Sequence, residues 1–197
     1  MSDGSPRVIV VAGPNGAGKT TLAPSLIRDD YGLMEYVNAD SIAHGLAAFS
    51  PESVAFEAGR IMLRRIHTLG AQNLSFAFET TLASRSYARL IKNLRANGYE
   101  FNLIYLSLSS PDLAVQRVHE RVRKGGHDVP EEVIRRRYIK GARNFFSVYS
   151  GLADTWGMYD NSSLGNPVEI ATKNKNTRPR ILREDLWRRL QELTTRE

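Results

Sequence analysis

Val8-Ile9-Val10-Val11-Ala12-Gly13-Pro14-Asn15-Gly16-Ala17-Gly18-Lys19-Thr20 decides the fold of this chain. A short β-branched apolar run feeds the pattern G-x-x-x-x-G-K-[ST], and helical spacing resumes through about Ile27, so a phosphate-binding loop stands between a buried strand and a helix. Gly13, Pro14, Asn15, Gly16, Ala17 and Gly18 are expected to wrap the phosphates of a nucleoside triphosphate. Glycine lets successive backbone N–H groups turn inward, and the helix behind presents its positive end. Lys19 is expected on the β- and γ-phosphates and the Thr20 hydroxyl on magnesium, with ATP as donor. Thr21 joins the nucleotide-binding set, with a plain helix residue as its alternative. An ordinary Gly-rich turn is the competing reading of the whole stretch, and the strand–loop–helix setting outweighs it.

Outward from that loop, apolar β-branched runs alternate with segments of helical period, which predicts an α/β fold: a three-layer P-loop core with a parallel sheet. Strands are expected at Tyr36 to Asn38, Ser75 to Glu79 and Phe101 to Leu108, with the last strands near Trp156 to Tyr159 and Pro167 to Ala171. Helices are expected after Ser41, from Pro51 to about Gly70, from Ser84 to Ala96, from Pro111, from Pro130, and from Arg183 to Leu193. The reading is one domain over 1–197.

Ligands of open parallel sheets sit beyond the carboxyl ends of the strands, which singles out two acids. Asp40 closes the second strand, where a carboxylate can take the proton of an attacking hydroxyl; its alternative is an N-cap for the helix from Ser41. Glu79 ends the third strand, either as a magnesium-linked acid or as a group that holds the acceptor with Thr81 beside it. Thr80 and Thr81 can equally be turn and cap residues.

Arg117 and Arg121 are four apart and share a helix face. With the Gly125-Gly126 break and Arg135, Arg136 and Arg137 beyond it, they frame a helical lid at about 123–132, able to close on nucleotide and bring guanidinium groups to the transferring phosphate. A solvated helical hairpin is the alternative. His119 and His127 have no companions at metal-ligand spacing.

The 197 residues are 42% hydrophobic and 24% charged, which places the chain in the globular class. Without an apolar run of about 20 residues or a leader segment, a soluble, cytoplasmic protein is expected, with no membrane partner. The absence of cysteine excludes thiolate zinc sites and thiol nucleophiles. Of the net charge of +6, a local excess of +5 lies between Lys173 and Arg189 in the basic C-terminal segment at about 167–197, which reads as a solvated surface and leaves nucleic acid as a minority partner.

Five blocks in order, GPNGAGKTT, VNAD, FAFETTL, RVHERVRKGGHDVPEEVIRRRY and YDNSS, resemble the zeta-toxin family of P-loop kinases from Val8 to Ser163. The resemblance implies an adenylate-kinase-like core. The best-known members phosphorylate a UDP-linked amino sugar and are toxic unless an antitoxin protein holds them. On matching positions it implies Asp40 as catalytic base and Glu79 with Thr81 as acceptor-binding groups. It implies Arg121 and one of Arg135, Arg136 or Arg137 on the γ-phosphate, Arg136 being the one selected here. Arg117 would stack on adenine, and Asn161 would border the same base. A nucleotide-sugar is thus the favoured acceptor, with UDP-N-acetylglucosamine first, while the chain looks shorter than the plasmid-borne toxins and no residue reveals an antitoxin. The alternatives are a polynucleotide 5′-hydroxyl kinase and a non-enzymatic nucleotide-dependent switch.

Overall fold

The computed structural model describes residues 4–163 and 165–195. Its elements run β1 (Arg7–Ala12), α1 (Lys19–Ser25), β2 (Tyr36–Val37), α2 (Ala39–Leu46), α3 (Ala55–Ala71), β3 (Phe76–Thr80), α4 (Ser86–Ala96), β4 (Glu100–Ser107), α5 (Pro111–Arg123), α6 (Glu131–Asn144), α7 (Ser150–Leu152), β5 (Thr155–Asp160), β6 (Val168–Lys173), β7 (Arg180–Ile181) and α8 (Glu184–Thr195). The strands form one sheet in the order β2-β3-β1-β4-β5-β6-β7.

β2, β3, β1, β4 and β5 are mutually parallel, whereas β6 and β7 pair antiparallel. The expected parallel sheet is therefore mixed. The cause is chain length: the segment between Asp160 and Val168 is too short for the crossover that a parallel return requires, so the chain turns back on itself. α1 begins at the phosphate-binding loop and passes into a π-helical turn at Leu26–Asp30. Pro24 lies inside α1, and its missing N–H interrupts the regular ladder just before that turn.

β1 is buried on both faces, as its continuous apolar composition requires. Val8 and Val10 join Phe76, Phe78, Phe101, Leu103, Trp156 and Met158 in the larger core, covered by Met62 and Ile66 of α3, Ile91 and Leu94 of α4, and Trp187 and Leu190 of α8. Ile9 and Val11 face the other way, with Ala77 and Ile104, onto Ala23 and Ile27. From β1 the chain passes to β2 and β3 on one side and then crosses to β4 on the other, so a crevice opens at the carboxyl end of β1. No helix among the described residues is long and apolar enough to cross a membrane.

The turn after β3 carries the most constrained backbone near that crevice. Leu82 is fully buried with φ of 59°. Thr80 Oγ1 accepts from Leu82 N–H at 3.1 Å, and the buried Asn144 Nδ2 donates to Leu82 O at 2.8 Å. Asn144 Oδ1 in turn accepts from Arg85 Nε at 3.1 Å, so one amide of α6 closes the turn from both sides. Asn144→Ala should lower the unfolding free energy by about 1–3 kcal/mol, the cost of leaving a buried carbonyl without a donor. Urea denaturation measures this, and a change within the noise of a surface substitution would refute the tether.

Candidate active site

The phosphate-binding loop is shaped by close backbone approach. At Gly13, φ is 144° and a Cβ would lie 2.1 Å from Leu106 O; at Gly18, φ is 82° and a Cβ would lie 2.6 Å from Asn161 Nδ2. Neither position admits a side chain without moving β4 or the segment after β5. Asn161 is buried, and its Nδ2 donates to Ala17 O at 2.8 Å. Arg117, also buried, reaches Gly16 O at 3.3 Å and Asn161 O at 2.8 Å through Nη1, and Ser162 O at 2.7 Å through Nη2. Both residues thus brace the loop from beneath. Arg117 still lines the cleft above it, whereas the burial of Asn161 sets it behind the loop rather than at an open base-binding face.

Lys19 is 7% exposed, donates from Nζ to Pro14 O at 3.0 Å, and stands 3.8 Å from Glu79 Oε1. Burial pulls its ammonium below the ordinary lysine range; Glu79 and Asp40 oppose that pull, and Arg121 and Arg137 add to it. Thr20 Oγ1 donates toward both carboxylate oxygens of Glu79 at 3.2 Å. Tyr36 Oη and Asn38 Nδ2 each donate to Glu79 Oε2 at 2.7 Å. Burial, and then the Glu79 charge, push the Tyr36 phenol far up, so it remains a donor. Hydroxyl and carboxylate oxygens side by side suit a hard cation. Among the described residues no group of three or more His, Cys, Asp or Glu is arranged to hold a metal. Magnesium, which commonly takes one or two protein ligands and completes its shell with phosphate and water, fits that donor set.

Asp40 resolves differently from its capping alternative. The N-cap of α2 is Asn38, whose Oδ1 accepts from Asp40 N–H at 2.7 Å and Ser41 N–H at 3.1 Å. α2 therefore begins at Ala39, two residues before the expected start, and the Asp40 carboxylate is exposed and makes no hydrogen bond to a described residue.

Two cavities meet at this point. One, of about 480 Å³, is lined by Gly16, Gly18, Lys19, Thr20 and Thr21 together with Arg117, Arg121 and Lys124. The other, of about 220 Å³, is walled by Asn38, Met62, Thr81, Tyr87 and Arg137. Asn15, Lys19, Asp40 and Glu79 line both. Thr80 and Thr81 both line the smaller cavity, and Thr80 Oγ1 also accepts from Leu82 N–H in the turn.

Of the three consecutive arginines, Arg137 and not Arg136 enters the site. Ile134, Tyr138 and Gly141 are among the buried positions of α6, which sets Arg137 beside the inward stripe and leaves Arg136 exposed. Arg137 Nη1 donates to Asn15 Oδ1 at 3.4 Å, and burial lowers its pKa against the opposing charge of Asp40. Arg135 is held outside by Asp112 and Glu131. Arg121 borders the larger cavity and donates from Nη2 to His127 O at 2.7 Å, anchoring the loop expected to form a lid. His127 Nδ1 in that loop lies 3.7 Å from Glu52 Oε2.

Sequence reasoning passed over Tyr36, Asn38, Met62 and Tyr87. Only Asn38 carried a signal: Asn is as good an N-cap as Asp, and it stands where a strand ends and a helix begins.

The family model described as Zeta toxin matches residues 1–174. An uncharacterized protein of Haemophilus influenzae is 29% identical over 132 residues, covering 67% of this chain and 92% of its own. Among solved structures, the AvrRxo1-ORF1:-ORF2 complex with ATP aligns with a TM-score of 0.78 at 17% identity, over 95% of this chain and 64% of that one. The PezAT chromosomal toxin–antitoxin system of Streptococcus pneumoniae aligns with a TM-score of 0.66 at 20% identity, over all of this chain and 81% of that one. At these identities the structural likeness concerns the fold. The chain spans less than two thirds of the AvrRxo1 chain it matches.

Arg117→Lys should weaken Mg-ATP binding by about tenfold or more, since an ammonium cannot reproduce a planar fork that holds three carbonyls. Calorimetry with Mg-ATP reads this directly, and unchanged affinity would show that the brace is dispensable.

Proposed function

The chain belongs to the zeta-toxin family, and on that premise we propose that it is an ATP-dependent kinase whose acceptor is a sugar hydroxyl of a nucleotide-sugar, UDP-N-acetylglucosamine being the first candidate. One observation carries the reading: a phosphate-sized cleft and a smaller polar cavity join at Lys19, Asp40, Glu79 and Asn15. A group held in one is presented to a group held in the other.

In this mechanism Lys19 and the loop amides hold the β- and γ-phosphates, with Thr20 and Glu79 as the residues that would hold Mg²⁺. When bound, that ion would supply charge neutralisation at the phosphate oxygens. Asp40 accepts the proton of the acceptor hydroxyl, whose oxygen forms a bond to the γ-phosphorus as the bond to the β-phosphate oxygen breaks. Arg137 and Arg121 offset the negative charge on the equatorial oxygens. Asp40 then returns its proton to solvent. Thr81 offers a hydrogen bond to a further hydroxyl of a ring, and Met62 and Tyr87 supply its apolar wall. A cavity of about 220 Å³ lies below the ~300–1,000 Å³ typical of drug-sized ligands, which supports one sugar ring inside with the nucleotide portion outside. The ATP complex of AvrRxo1 supports ATP as donor. The PezAT system motivates a protein antitoxin as partner of this chain.

The basic C-terminal segment gives little support to a nucleic-acid acceptor. Lys175, Arg183, Arg188 and Arg189 pair with Glu100, Asp185, Glu184 and Asp160, and Lys173 donates to Ala153 O. β7 is also the sheet edge remote from β2 and Asp40.

Asp40→Asn should keep Mg-ATP affinity and lower transfer by about 10²–10⁴, the usual contribution of a general base. Arg137→Ala should lower turnover at least tenfold more than Arg136→Ala, because only the former borders the junction. Both are measured as phosphate incorporation into UDP-N-acetylglucosamine, beside a 5′-hydroxyl oligonucleotide. Labelled oligonucleotide with unmodified nucleotide-sugar would reject the proposed acceptor, and equal effects at 136 and 137 would reject the arginine assignment.

A further inference from the structure

We propose that Asn38 is a positioning residue for phosphoryl transfer: a single buried amide that locks the helix bearing Asp40 to the carboxylate of Glu79. The inference rests on the kinase reading, but the residue belongs to neither the phosphate-binding loop nor the acid–base pair.

Asn38 is 5% exposed and directly follows β2 as the N-cap of α2. Its Oδ1 accepts from the main-chain N–H groups of Asp40 and Ser41, and its Nδ2 donates to Glu79 Oε2 at 2.7 Å. The orientation of the amide is unambiguous on chemical grounds. Reversal would set an NH₂ against two N–H donors and a carbonyl oxygen against a carboxylate oxygen, losing all three bonds together.

Each end of the amide does a different task. The oxygen fixes the first turn of α2 and hence the backbone from which the Asp40 side chain departs. The nitrogen fixes Glu79, which stands beside Thr20 and 3.8 Å from Lys19. The base and the phosphate end of the cleft are thereby held in one register through a side chain with two rotatable bonds. Tyr36 bonds the same Glu79 oxygen but does not reach α2, so it cannot replace this link.

A residue that only capped α2 would be replaceable by any good cap. Asp and Ser are both good caps, and they differ from Asn in what they do to Glu79. Asn38→Ser keeps an acceptor for the α2 amides and removes the donor to Glu79. Asn38→Asp keeps the acceptor and sets a second carboxylate against the first. Asn38→Asp combined with Glu79→Gln reverses the polarity of the contact, so that an amide donates to a carboxylate again.

The expected results are a loss of thermal stability in Asn38→Asp at neutral pH, recovery of most of that loss in the Asn38→Asp/Glu79→Gln pair, and near wild-type stability in Asn38→Ser. For Asn38→Ser, kcat for transfer should fall about tenfold or more, the scale of one lost hydrogen bond to a charged group, while Mg-ATP affinity measured by calorimetry changes less than about threefold. Additive stability effects in the pair would overturn the contact. An intact stability cycle with wild-type kcat in Asn38→Ser would overturn the positioning role and leave a capping residue. Wild-type protein that transfers no phosphate while the stability cycle behaves as expected would overturn the kinase reading and the role that depends on it.

Discussion

Lys19 brings a full positive charge to a place from which most water has been removed, and an ammonium so placed would lose its proton unless something compensated for the lost hydration. Compensation comes from Pro14 O, from Glu79 at 3.8 Å and from Asp40 farther off. Arg121 and Arg137 work against it. The site therefore holds more positive charge at its centre than its own acids neutralise, and an incoming polyphosphate supplies the missing negative charge. Binding of the phosphates is favoured because the cations are already desolvated and already in place.

That constraint explains the scaffold beneath the loop. A charged loop over a sheet end must not relax toward solvent, and here it is restrained by groups from distant parts of the chain. Asn161 at the end of β5 bonds Ala17 O, and Arg117 on α5 bonds Gly16 O together with the Asn161 and Ser162 carbonyls. Gly13 and Gly18 are where the loop presses against β4 and that same segment. The order of the sheet makes these contacts available, since β4 and β5 lie consecutively beside β1.

Much of this was legible in the residues, and the parts that were not share a cause. The buried strand, the loop and the rim positions of Asp40 and Glu79 could be placed because short-range patterns determine them: an apolar run, glycine spacing, an acid at a strand end. Arg137 could not be separated from Arg135 and Arg136, because adjacent helical positions differ only in angle, and the angle is set by which face of α6 the core takes. The antiparallel β6 and β7 were obscured for a related reason, since strand direction depends on the space a connection must cross and composition does not record it. Asn38 was hidden by a more plausible neighbour. Asp40 satisfied both a chemical and a capping role on paper, and the geometry gives the capping task to Asn38, two residues earlier.

The division matters for the proposed transfer, in which Asp40 is the base. A carboxylate that caps its own helix is held by main-chain N–H groups, which stabilise its charge and lower its basicity. A base is more effective when those donors belong to another side chain and its own oxygens remain open to the acceptor. By giving the cap to Asn38 the chain leaves Asp40 exposed at the junction of the two cavities, and by using the other end of the same amide on Glu79 it ties that freedom to a fixed reference. Positional error between a base and a phosphate is costly in rate. The link spans a single side chain, so little can vary along it. The surroundings follow the same plan: Glu79 accepts from Thr20, Tyr36 and Asn38 and stands beside Lys19, whereas the Asp40 carboxylate accepts from no described residue, so the two acids at one rim stand in different environments.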